Sequence, residues 1–344
     1  MSKNRLALKI IAITVFMLMF DIASAESSQT ILSAEEIKQS IPQIEAAEKK
    51  VLNVKIEAET WMEESTSPTG PWERTPTYVA ATSWFDGTPR GKGRVDVHRE
   101  VLNSYWVDGG RYMQSERSYT ACYDGRVVRK IYEKESEDGG KTRFARRGEI
   151  RDQAPEIFKG KMTGVVTGLR FTTKYFFIDR DDITFFSQFF KTATSPGAVV
   201  NGSFEAVRED YNGVQCIRLS MKSKSLHTNW WLDPSRGFAL LGYENVSTNK
   251  EGKDFVDVRI KVNKLKEIAD GIWWPMEGTV ESDRRDPRKP DTYARMVFHA
   301  LDVVVNDPKF DNSIFSVSFP AGYTVYDRVN DKTYKAGEDP NSQK

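Results

Sequence analysis

The 344-residue chain has only two cysteines and three histidines, and neither count favours metal chemistry. His98, His227 and His299 lie in separate strand-like segments. None has a second His or a Cys at metal-ligand spacing, so no zinc centre is expected. Charge of one sign is missing as well: 50 Lys plus Arg stand against 49 Asp plus Glu, a formal net charge of +1. Such a balance provides no global field for nucleic acid, and no nucleic-acid partner is expected. Beyond Phe20 no segment approaches the roughly 18 apolar residues of a membrane-crossing helix. Catalytic signatures are absent too. Gly140-Lys141-Thr142 imitates the end of a phosphate loop, but position 135, where its leading glycine belongs, is Glu135. Gly91-x-Gly93 is followed by Asp96 where a dinucleotide fingerprint needs glycine. With no G-x-S-x-G or H-E-x-x-H either, the sequence reads as that of a non-enzymatic protein without a cofactor.

What is present begins with a leader. Lys3, Arg5 and Lys9 precede the eleven-residue apolar stretch Ile10–Phe20, and Ala23-Ser24-Ala25 offers small residues before a cut at Glu26. That stretch makes about 16 Å of helix against a hydrocarbon core of roughly 30 Å. Met1–Ala25 therefore reads as a secretory signal rather than a retained anchor, and a periplasmic or secreted mature chain is expected. Oxidising compartments permit a Cys122–Cys216 disulfide. Both residues also sit in strand-like runs where buried free thiols fit, so the two alternatives stand open.

Hydrophobic content of 39% with 12% aromatics excludes wholesale disorder. Ser33-Ala34-Glu35-Glu36 is a capping box, and Ile37, Ile41, Ile44, Ala47 and Val51 recur at spacings of three and four. This predicts an amphipathic helix kinked or restarted by Pro42. Val54, Ile56, Ala58 and Thr60 then alternate with Lys55, Glu57 and Glu59, the pattern of a half-buried strand. Asp86-Gly87, Asp108-Gly109-Gly110 and Asp124-Gly125 punctuate further β-rich runs, and Glu133–Arg151 reads as a charged, self-compensating hairpin. Later strands are expected near Gly202–Arg208, Val214–Lys222, Thr228–Leu232, Ala239–Asn245, Asp254–Leu265, Ile272–Val280 and Tyr293–Val305. One segment departs from this period. Asp179, Asp181 and Asp182 suit a helix N-cap, and Ile183, Phe185, Phe186, Phe189 and Phe190 follow at helical spacing. The expected organisation is one domain over 26–328 with a helical insertion about 155–200, and a disordered polar tail over 329–344.

Of the eight tryptophans, four form the adjacent pairs Trp230-Trp231 and Trp273-Trp274. Neighbours on a strand point to opposite faces, so each pair sends one indole to each side of a sheet. Either that is ordinary core plus a second, amphipathic indole, or a curved sheet and its helices enclose an apolar pocket.

The order of these motifs resembles the LolA-like half-barrel family of periplasmic proteins, which includes lipoprotein carriers and the N-terminal domain of an envelope-stress regulator. The helix Ser33–Lys50 and strand Val54–Trp61 are similar to that family's opening. Trp84-Phe85-Asp86-Gly87, Arg94-Val95-Asp96 and Tyr123-Asp124-Gly125-Arg126 resemble its hairpins. Trp230-Trp231-Leu232-Asp233-Pro234-Ser235-Arg236-Gly237-Phe238, Asp270-Gly271-Ile272-Trp273-Trp274-Pro275 and the Phe315–Val325 stretch resemble its later turns and closing strand. The resemblance implies a mainly β fold with a few helices: a strongly curved antiparallel sheet, unclosed, with helices covering its concave face. It implies a lipid, a lipoprotein acyl group or another apolar ligand in the cavity. Ile183, Phe185, Phe186, Phe189 and Phe190 would then supply a lid, and Trp230, Trp231, Trp273 and Trp274 the walls. The alternative within the fold is an envelope interaction or sensor module with a filled core and a protein partner.

Overall fold

Ser33 opens the first helix as its pattern requires. Its Oγ accepts from the Glu36 amide at 3.3 Å while Glu36 Oε2 accepts from the Ser33 amide at 2.9 Å. These bonds satisfy donors that a helix start otherwise leaves unpaired. The computed structural model describes residues 30–88, 91–105, 112–137, 141–143, 146–152, 176–179, 182–184, 186–193, 203–249, 251–283 and 291–338. The predicted leader, and most of the segment expected as an insertion about 155–200, lie outside the described residues.

Among the described residues two helices, α1 (Ala34–Lys49) and α2 (Phe186–Ala193), accompany nineteen strands. The first run of strands is β1 (Thr30–Ile31), β2 (Asn53–Ser65), β3 (Glu73–Asp86), β4 (Gly93–Tyr105), β5 (Tyr112–Tyr123), β6 (Val128–Glu137), β7 (Lys141–Arg143) and β8 (Arg147–Arg151). A small hairpin, β9 (Phe176–Asp179) with β10 (Asp182–Thr184), follows. The second run is β11 (Ser203–Tyr211), β12 (Val214–Lys222), β13 (Leu226–Asp233), β14 (Ala239–Thr248), β15 (Asp254–Ala269), β16 (Ile272–Glu281) and β17 (Tyr293–Val305). Two short strands, β18 (Thr324–Asp327) and β19 (Lys332–Lys335), end it.

One large curved sheet takes all but the β9–β10 hairpin. Two meanders, β2–β6 and β11–β17, are joined where β17 lies antiparallel along β2 over Tyr293–Val305. Past β6 the sheet continues through β8 to β18, a parallel contact, and ends at β19. Its other edge is β1 against β11. The edge strands β1 and β19 are not paired with each other among the described residues, so the sheet is curved but unclosed. Turn chemistry sets the register: Asn212 and Gly213 take φ of 54° and 82°, the left-handed pair that a two-residue hairpin loop needs.

Period two then sorts the side chains. Val54, Ile56 and Ala58 of β2 share one face with Val79, Ala81 and Phe85 of β3 and with Val95 and Val97 of β4, all buried. Lys55, Glu57 and Glu59 alternate onto the other face. The same inner face carries Ala206, Leu219 and Trp230 across β11–β13, and there the helices cover it through Ile44, Phe186 and Phe190. Each buried apolar side chain of this size contributes about 1.5–3 kcal/mol, so the sheet holds its helices through a few large side chains.

Four expectations need correction. The first helix is not restarted at Pro42: one helix spans Ala34–Lys49, with the Pro42 ring exposed while Ile44 packs on the sheet, and burial of that face outweighs the one hydrogen bond that proline removes. The second helix starts at Phe186, later than the spacing suggested, because Ile183 belongs to β10. Asp179 and Asp182 pair across the β9–β10 hairpin instead of capping that helix, since local strand pairing takes their backbone. Finally, the polar end is not all tail: Lys332–Lys335 pairs with β18, whose Val325 is fully buried. A polar strand needs only one anchored neighbour, which apolar periodicity does not report.

Candidate functional site

The face beneath the two helices gathers much of what the sequence singled out. Phe186 and Phe190, one turn apart on α2, are each 1% exposed. The Phe186 ring lies 5.8 Å from Trp230 and 6.0 Å from Phe190, and the Phe190 ring 5.2 Å from Phe204. Ile44 of α1, together with Leu219 and Leu232, completes the enclosure. Among the described residues, the gap between α1, Phe190 and β11–β13 leaves no room for a water molecule. This part of the inner face is filled by the chain's own helix. Phe185 lies outside the described residues, and so do the side chains of Ile183 and Phe189.

A carboxylate joins the two helices. Glu48, 4% exposed near the end of α1, accepts from the Ser187 amide at 3.0 Å and from the Ser187 hydroxyl. The first turn of α2 thus finds an acceptor for one of its free amides, with the negative charge at the positive end of the helix. Nothing in the local pattern of α1 marks Glu48, which sits where an amphipathic helix allows a charge; only the packing of α2 reveals it.

Beside Glu48 a cleft of about 50 Å³ opens between the end of α1, the turn after β13 and β16. It offers space for a few water molecules, not for an acyl chain. Its walls include Val51, Leu265, Trp273 and Trp274. Asp233, fully buried, accepts from the Ser235 amide at 2.9 Å and pairs with Arg236 at 3.4 Å; the Arg236 guanidinium lies 5.1 Å from the Trp273 ring centre.

The tryptophan pairs divide as strand alternation requires. Trp230 and Trp274 are buried on the inner face. Trp231 turns to the outer face, stacks on Tyr211 at 4.8 Å and donates its indole N–H to Glu209 at 2.7 Å. Trp231 therefore does not wall the inner face, and Trp273 reaches only the cleft. Cys122 and Cys216 are both free and buried, and burial pushes each thiol up to about 12. Cys122 faces Ile314 on the outer side of the sheet, remote in topology from Cys216 on β12.

A second polar group went unread. On β6, Val128, Lys130 and Tyr132 alternate onto the inner face, opposite Tyr123, Ala121 and Tyr119 of β5. The Lys130 ammonium lies 3.6 Å from the Tyr119 ring centre and 4.7 Å from that of Tyr132. It makes no ion pair or hydrogen bond among the described residues, and burial pushes it down to about 8. Period two in Val128-Arg129-Lys130-Ile131-Tyr132 is the sequence signal that places it on the inner face. No cluster of His, Cys, Asp and Glu that could hold a metal ion occurs among the described residues. None of their helices is long and apolar enough to cross a membrane.

No family model matches the chain. No curated protein matches it either. Among solved structures it is similar to a DUF1329 family protein from Desulfovibrio piger, at 11% identity and a TM-score of 0.38, over 81% of this chain and 97% of that one. It is also similar to a putative outer membrane lipoprotein-sorting protein domain from Vibrio parahaemolyticus, at 12% identity and a TM-score of 0.42, over 82% of this chain and 97% of that one. Likeness at this level leaves the functional reading to the chain's own residues.

Proposed function

We propose that the protein is an exported, non-enzymatic binding protein that takes an apolar ligand, an acyl chain in the first instance, against the inner face of its sheet. The observation that supports this reading is the seat of α2: an eight-residue helix holding two phenylalanines against Trp230 and Phe204. In this reading α2 fills the ligand's place while the protein is empty and yields it on loading. The magnitudes permit the exchange. Exposing two phenylalanines costs about 3–6 kcal/mol, whereas a dozen buried methylenes return roughly 10 kcal/mol.

The second reading, an envelope interaction module with a permanently filled core, is favoured by the missing free volume beneath Phe190. The two separate on one experiment. Native mass spectrometry of the purified protein is paired with titration of a fluorescent acyl probe into wild type and Phe186→Ala. Carriage predicts bound lipid or probe uptake, increased in Phe186→Ala because the competing side chain is gone. A protein that is empty and takes up no probe in either form, yet holds a stable protein partner in pull-down from an envelope extract, is the interaction module.

A further inference from the structure

We propose that Lys130, with Arg117 and Arg147 beside it, receives the anionic oxygens of a ligand: a carboxylate or a phosphate. The proposal goes beyond apolar-ligand binding and stands without it, because this patch lies on β5, β6 and β8, toward the opposite end of the strand order from α2.

Register brings the charges together. Arg117 of β5 stands opposite Glu135 of β6, while Lys130 and Tyr132 of β6 stand opposite Glu149 and Arg147 of β8. Three carboxylates here already have partners: Glu100 with Arg117 at 3.5 Å, Glu135 with Arg147 at 3.3 Å, and Glu149 with Arg151 at 2.9 Å. Lys130 is the fourth cation of the patch and has no carboxylate of its own.

Its neighbours are also short of acceptors. The Nε atom of Arg147 is buried and makes no hydrogen bond, and that of Arg117, also without one, has only the long 3.5 Å ion-pair approach of Glu100 Oε2. A buried donor left unpaired costs about 1–3 kcal/mol, more when it is charged, so the Arg147 Nε in particular calls for an acceptor. The Tyr132 ring organises the set: Arg147 lies 4.2 Å and Lys130 4.7 Å from its centre. Rings hold a cation in place through their quadrupole while leaving its N–H donors free to meet oxygen. Val97 and Ala121, on the same face beside the patch, are buried in the core.

Binding would depend on pH with a defined sign. Only the ammonium form of Lys130 attracts an anion, so affinity declines as pH rises through about 8. The charged and titratable groups facing it are Glu100 of β4, Arg117 and Tyr119 of β5, Tyr132 and Glu135 of β6, and Arg147, Glu149 and Arg151 of β8.

The test compares palmitate, monopalmitoylglycerol and inorganic phosphate on the intact protein. Affinity is read by calorimetry, and protection of the Lys130 amine from a succinimidyl ester by mass spectrometry. The expected result is palmitate about tenfold tighter than monopalmitoylglycerol, with Lys130 protected; Lys130→Met loses the preference and Lys130→Arg keeps it. Phosphate protecting Lys130 as well as palmitate does supports the site with a free anion as its source. If instead monopalmitoylglycerol does not bind while either anion protects Lys130, the anion site holds and the acyl-binding reading falls. Equal binding of palmitate and monopalmitoylglycerol with Lys130 unprotected overturns the anion site and leaves the acyl reading standing. No binding and no protection by any probe overturns both.

Discussion

Lys130 shows what loss of water does to a charge that touches two rings and forms no ion pair, with Glu100 and Glu149 acting on it only from further off. Its ammonium is pushed down to about 8 from the ordinary 10.5, chiefly because the site withholds water from it. A folded-state value below the unfolded one means that the folded chain binds fewer protons between those two pH values, so stability from this group rises with pH across that window. Below pH 8 the whole cost of burying the charge is present. Lys130→Met removes that cost and is expected to be more stable than wild type at neutral pH. The gain should shrink as pH rises from about 8 to 10.5, when the wild-type amine is neutral in both states. Urea unfolding at a series of pH values measures it, and a gain independent of pH refutes the assignment.

At the scale of elements, the Glu48 carboxylate ties α1 to α2 through its bonds to Ser187, set in apolar packing. Replacing Glu48 by Gln keeps the shape but removes the charge that faces the first turn of α2 and weakens both bonds to Ser187. A charge-assisted hydrogen bond contributes about 1.5–3 kcal/mol, so α2 should open more often by roughly ten- to a hundredfold. Hydrogen exchange would show Phe186–Ala193 exchanging faster while β12 and β13 keep their protection. Uniform acceleration across the sheet would mean that Glu48 supports the whole fold rather than the helix joint.

At the scale of the molecule, the end of the chain returns to the sheet through β18, lying parallel to β8. The Thr324 amide donates to Arg146 O and the Arg328 amide to Ile150 O, both at 2.9 Å. Gly148 makes this return possible, for a methyl group there would stand 2.2 Å from the Phe319 ring. Gly148→Ala must displace that ring, at about 1–3 kcal/mol. The expected outcome is a lowered Tm together with faster proteolytic release of the end of the chain, while Phe186–Ala193 keeps its hydrogen-exchange protection. A Tm equal to wild type would mean that Phe319 relocates without strain.

Much of this architecture was written in local signals. The capping box at Ser33 and the alternation from Val54 to Thr60 each depend on a few adjacent residues, and each formed as its pattern required. The division of Trp230 from Trp231, and of Trp274 from Trp273, is likewise a property of any strand. Local pattern could not show that β17 returns to β2 or that β8 accepts β18. Nor could it show that Glu48 meets Ser187 across 139 positions, that Cys122 and Cys216 stay free, or that Lys130 sits between two rings. Those are contacts between segments distant in the chain, chosen by which faces can be buried together. A sequence fixes the period and polarity of each face, but only closure of the fold decides which faces meet.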